Sequence, residues 1–179
     1  MKKPTISTLK ELKKSGYKTE SIKDELKRNL TQVLKDGKKT FEKIHGYENS
    51  VIPQLERAIL AGHNINFLGL RGQAKTRLAR QMVNLLDEWV PVIKGSEIND
   101  DPISPISSKG KEIIKNFGDK TELDWIHRNE RFYEKLATPD VSVADLIGDL
   151  DPIKAASLKL SYSDERAVSY THLTLPTRL

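Results

Sequence analysis

The stretch GLRGQAKT, residues 69–76, limits what this chain can fold into more than any other feature. Gly69, Gly72, Lys75 and Thr76 hold their places in a loop pattern whose backbone amides fold around phosphate groups. In that pattern the lysine ammonium reaches the outer phosphates, and the hydroxyl takes one corner of a Mg²⁺ shell. The pattern carries weight only in context: a strand must deliver the chain into the loop, and a helix must leave it with its positive end toward the anion. Both are predicted. His63-Asn64-Ile65-Asn66-Phe67-Leu68 alternates polar and apolar and then runs apolar, as a strand entering a buried sheet does. From about Ala74 to Trp89, the residues Leu78, Met82, Leu85, Leu86 and Trp89 form one helical face.

One position departs from the pattern. Ala74 stands where a second glycine is usual. At negative φ, expected where a helix begins, alanine is tolerated and even favours the helix. In a left-handed conformation it costs about 1–2 kcal/mol.

Around this centre the organisation is legible. Ile22, Leu26, Leu30, Val33 and Leu34 predict a helix over 21–36, with Ser21 able to cap it and Gly37 able to end it. A second helix is expected over 50–61, with Pro53 in its first turn and Gly62 as its stop. Val90, Val92 and Ile93 predict a short strand, and GSEINDDP turns the chain. A polar, partly helical region is expected over 106–136, followed by LATPDVSVADLIGDLDPIKAA. Glu97, Asp100 and Asp101 could hold a cation, but Asn-Asp-Asp-Pro is ordinary turn chemistry, and that reading is preferred. Asp145, Asp149 and Asp151 do not make a Ca²⁺ loop, because the glycine and terminal glutamate of that signature are absent and Pro152 interrupts it.

Composition excludes several classes. There is no cysteine, hence no disulfide framework and no cysteine-held zinc or iron–sulfur group. No apolar run approaches the ~20 residues that cross a bilayer, and no secretory signal is recognisable, so a cytoplasmic location is expected. Residues 1–40 hold 12 Lys/Arg against 5 Asp/Glu, while the remaining 139 hold 18 against 20. Such a basic leader can attract nucleic acid, but no aromatic residue is interleaved to stack on bases, and a solvated helical face is the preferred reading. His45, His63, His127 and His172 show no metal-ligand spacing.

The loop, together with IHGYENSVIPQLERAILAGHNINFLGL before it, resembles the opening of AAA+ ATPases, and the alanine before the lysine resembles MoxR-like members. GSEINDDP and ATPDVSVADLIGDLDPIKA resemble segments of the magnesium chelatase ATPase subunit; the resemblance covers roughly residues 41–166. It implies an α/β fold: the P-loop NTPase (AAA+) parallel sheet flanked by helices, truncated, and preceded by an N-terminal helical segment. The implied domains are a basic helical leader (1–40) and the N-terminal part of the ATPase domain (41–167). The implied cofactors are ATP and Mg²⁺. Gly69, Leu70, Arg71, Gly72, Gln73 and Ala74 would supply the amide cradle, Lys75 the β/γ-phosphate contact and catalytic charge, and Thr76 the metal ligand. Ile44, Gly46 and Tyr47 would border the adenine, with plain core packing the alternative for Ile44 and Tyr47. Arg71 and Arg77 are expected to be solvated. A homo-oligomeric ring, a hexamer, is the implied assembly, with a protein remodelling target or metal insertion as its task.

Hydrolysis in such an enzyme needs an apolar strand ending in acidic residues, a polar sensor and arginines from the next subunit. No apolar run ending in Asp-Glu follows Thr76, and VADLIGDLD is too polar and glycine-broken to be that strand. Residues 168–177, VSYTHLTLPT, back-translate into DNA resembling a transposon-end sequencing adapter, so 168–179 is read as a non-native tail. In the AAA+ strand order 5-1-4-3-2 the strand before the loop and the one near 90–93 are not neighbours. The chain alone is therefore expected to be partly folded and inactive in hydrolysis, while the full-length parent hydrolyses ATP. Two other functions fit the same residues: a nucleotide-dependent regulatory or adaptor module that does not hydrolyse, and a nucleic-acid-associated ATPase.

Overall fold

A computed structural model describes residues 3–136 and 138–142, and the backbone of 149–150 and 168–169. In chain order the helices are α1 (Leu9–Lys14), α2 (Ile22–Lys35), α3 (Val51–Leu60), α4 (Lys75–Met82) and α5 (Ser108–Phe117). The strands are β1 (Trp89–Ile93), β2 (Leu123–His127), β3 (Asp149–Leu150) and β4 (Val168–Ser169). The described residues form two compact units: residues 20–88, and residues 3–19 together with those from 89 onward.

In the 20–88 unit, α2 starts where Ser21 Oγ accepts the Asp24 amide and stops before Gly37, whose φ is 68°. Leu30 on its apolar face is fully buried, and α3 contributes Ile52, Leu55 and Ile59 to the same core. Phe41, Ile44, Leu78 and Leu85 complete it. Helix α4 is shorter than its apolar face suggests. It ends at Met82, passes through a 3₁₀ turn at Val83–Leu85, and leaves extended at Leu86. The backbone groups that would prolong it are taken by α2. The buried carboxylate of Glu25 accepts the Asp87 amide at 2.8 Å, and Asn29 Nδ2 donates to the Leu85 carbonyl at 2.8 Å. Arg28 adds an ion pair to Asp87 at 2.7 Å.

Residues 63–68 alternate as expected, but they form no strand. Ile65 and Phe67 lie against the core while His63, Asn64, Asn66 and Leu68 face solvent. A ladder needs a partner, and among the described residues none pairs with this segment. No parallel sheet is formed among them, and each sheet is an antiparallel pair.

In the other unit β1 pairs with β2 from Trp89↔His127 to Ile93↔Leu123. The strand at 90–93 is therefore present. Its partner lies inside the region expected to be polar and partly helical, which also contains α5. Helix α1 carries a capping box between Thr8 and Glu11 and buries Leu9 and Leu12 against Leu123. The Leu123 amide donates to the Ser7 carbonyl (2.8 Å) and the Leu9 amide to the Thr121 carbonyl (3.0 Å), tying this N-terminal segment beside β2. Two of its lysines meet carboxylates: Lys3 with Asp124 at 2.7 Å and Lys13 with Asp119 at 2.6 Å.

The acidic turn behaves as turn chemistry. Asp100 Oδ1 accepts the amides of Ile106 (2.7 Å) and Ser107 (2.9 Å), and its other oxygen accepts the Ser107 hydroxyl. Asp101 accepts from Tyr17, Thr19 and the amides of Ile103 and Ser104. Asp145, Asp151, the side chain of Asp149, and the tail apart from the backbone of 168–169 lie outside the described residues.

Candidate phosphate-binding site

Between Glu56 and Asp87 the chain has no acidic residue, while Arg71, Lys75, Arg77 and Arg80 follow one another across the loop and α4. The N-terminus of α4 has neither a capping side chain nor an acid in its first turn. Its N–H groups at Lys75, Thr76 and Arg77 are the unpaired donors of any helix start, since the first helical bond runs from the Leu78 amide to the Ala74 carbonyl. Among the described residues no protein acceptor takes the amides of residues 70–74 either. Most of the loop is exposed, so a run of N–H groups backed by the helix dipole faces solvent.

Glycine is required at two places. Gly69 has φ 153° and Gly72 φ 83°, values that L side chains rarely adopt, and a Cβ at Gly69 would also have to displace the end of the Gln73 side chain. Ala74 also has positive φ, 54°, with ψ 18°, so the expectation of negative φ at this position is corrected. The alanine occupies the conformation for which the usual residue is glycine.

Lys75 closes the loop. Its Nζ donates to the carbonyls of Gly69, at 2.8 Å, and Leu70. Those two carbonyls hold the ammonium at the start of the loop. Thr76, one residue on, is exposed. Arg71 and Arg77 are exposed, as expected.

Of the residues expected beside adenine, Ile44 is spent on the core. Gly46 has φ 86° and donates its amide to Glu48 Oε2 at 2.7 Å. The Glu48 carboxyl is held below its ordinary pKa by its own backbone N–H and that of Gly46, with the charges of His45 and Lys39 adding to the effect. Tyr47 does reach the loop: half-buried against the core, it donates its hydroxyl to the Gln73 carbonyl at 3.3 Å. Neither this link nor the role of the Gly69 and Leu70 carbonyls was legible in the motif, since backbone acceptors leave no residue-type signal. No helix among the described residues is long and apolar enough to cross a membrane.

No family model matches the chain, and neither a curated protein nor a solved structure matches it.

Proposed function

We propose that residues 69–76 bind the phosphates of ATP with Mg²⁺, as the nucleotide loop of an AAA+ ATPase of the magnesium-chelatase or MoxR-like kind. The observation that carries this reading is the open run of amides from Leu70 to Arg77 at an uncapped, acid-free helix start, with Lys75 fixed across it. Phosphate oxygens would cap that helix, the Lys75 ammonium would neutralise their charge, and the Thr76 hydroxyl would join the metal's shell. In the same proposal Ile65–Leu68 becomes the first strand of a parallel sheet once neighbouring strands lie beside it. Hydrolysis, a hexameric ring and work on a protein partner belong to the protein that supplies the acidic strand end and the arginines.

The test is calorimetric titration of the chain with MgATP, MgADP and magnesium tripolyphosphate. Saturable binding is expected for all three, and Lys75→Ala should weaken each by about tenfold or more, the usual worth of a charge-assisted contact. Absence of saturable binding by wild type would remove the proposal.

A further inference from the structure

We infer that Tyr47 is a positioning residue for the phosphate loop, acting through its hydroxyl on the peptide that joins Gln73 to Ala74. The inference rests on the nucleotide reading above and adds a residue to it.

Tyr47 is itself firmly held. Its carbonyl accepts the amides of Ser50 (3.2 Å) and Ile52 (3.1 Å) at the start of α3, and its ring packs on the core of the 20–88 unit. From that anchored position the hydroxyl donates to the Gln73 carbonyl. The Gln73–Ala74 peptide is trans, so its carbonyl and the Ala74 N–H point in opposite directions. Holding the carbonyl on Tyr47 therefore turns the Ala74 amide away from the tyrosine, among the donors that would meet an anion.

The bond also answers why alanine stays left-handed. Rotation of this one peptide changes ψ at Gln73 and φ at Ala74 together, and would let Ala74 fall back to negative φ. The same rotation would withdraw the Ala74 N–H and present a carbonyl oxygen in its place, which repels phosphate. Lys75 fixes the loop at its first two carbonyls, Gly69 and Leu70, and leaves this later peptide unrestrained. Tyr47 supplies the second fixed point.

The experiment compares wild type, Tyr47→Phe, Ala74→Gly and the double variant, titrated with MgADP and with magnesium tripolyphosphate. Tyr47→Phe keeps the ring and loses only the donor, so affinity for both ligands should fall roughly three- to tenfold, as for loss of one neutral hydrogen bond. With glycine at 74 the left-handed conformation needs no enforcement, and the same Tyr47→Phe change should then cost less than about twofold. A tyrosine that only borders the base would lose affinity for MgADP and leave tripolyphosphate untouched; that result overturns the inference. In the ligand-free protein, the three-bond HN–Hα coupling of Ala74 should move toward helical values in Tyr47→Phe. An unchanged coupling refutes the inference even if no nucleotide binds, whereas loss of all binding with a shifted coupling removes the nucleotide reading and leaves the link between Tyr47 and the loop.

Discussion

The same chemical change, alanine to glycine, should have opposite signs at two positions five residues apart. At Ala74, with φ 54° and ψ 18°, glycine removes a steric cost of about 1–2 kcal/mol between Cβ and the following carbonyl. Against this stands the greater freedom of glycine in the unfolded chain, about 0.5–1 kcal/mol. Ala74→Gly should therefore stabilise the 20–88 unit by roughly 0.5–1 kcal/mol. Ala79 sits inside α4, where glycine gains nothing and loses helix propensity, so Ala79→Gly should destabilise by about 0.8–1 kcal/mol. The difference between the variants, near 1.5 kcal/mol, exceeds the scatter of a careful denaturation series. Both tryptophans, Trp89 and Trp125, lie in the other unit, so the change must be followed by far-UV circular dichroism or by amide exchange of Leu55 and Leu78. If both variants destabilise alike, Ala74 is not left-handed, and the account of the loop built on it fails.

Three further outcomes follow from the unit that contains β1 and β2. Asp100→Ala leaves the amides of Ile106 and Ser107 without their acceptor in a buried turn and should cost about 2–4 kcal/mol in urea unfolding followed by tryptophan fluorescence. Asp100→Asn keeps an oxygen for those two donors and should cost less than half as much. Gly110→Ala would bring a Cβ to 2.5 Å from Asp100 Oδ2, and should destabilise by about 1–3 kcal/mol by forcing that carboxylate aside. The carboxyls of Asp119, Glu122 and Asp124 are lowered by hydrogen bonds from Lys13, Lys94 and Lys3 in turn, with the lysine charges adding to each. Because their folded values lie below the unfolded ones, their stabilisation is present above the carboxylate range and lost as pH falls through it. The melting temperature should thus be level near neutrality and drop below about pH 4, with a smaller drop in 1 M salt because the pairs are exposed. A drop unchanged by salt would contradict the assignment to these pairs.

What could be read beforehand divides along a physical line. Local signals were legible. The Ser21 cap, Gly37 and the apolar face of α2 placed that helix within a residue, and Pro53 and Gly62 bounded α3. The alternation marked Ile65 and Phe67 as the side chains that turn inward, but Leu68, apolar too, is exposed, so residue type alone did not decide burial at the end of the segment. Whether that segment becomes a strand is decided by another stretch of chain, so alternation alone could not settle it. The early end of α4 had the same origin: its apolar face runs on to Trp89, but a carboxylate from Glu25 and an amide from Asn29 take the groups that would continue it. Strand β2 was hidden because Asp124 and His127 dilute its pattern, and its partner Trp89–Ile93 is 30 or more residues away.

The loop shows the same division within eight residues. Gly69, Gly72, Lys75 and Thr76 announce themselves by type, since glycine marks positive φ and lysine marks charge. The left-handed state of Ala74 contradicts its own residue's preference, so it could not be read from Ala74 and has to be enforced from elsewhere. Of the neighbours that touch the loop, Lys75 holds carbonyls at its start and Tyr47 holds the one carbonyl whose rotation would release Ala74. A residue that tolerates strain in a loop therefore points to its restraint, and here that restraint comes from Tyr47, 26 residues before the Gln73 carbonyl it holds. The conformation of residues 69–76 is then a property of Tyr47 as well, which acts through a hydroxyl that no motif for the loop contains.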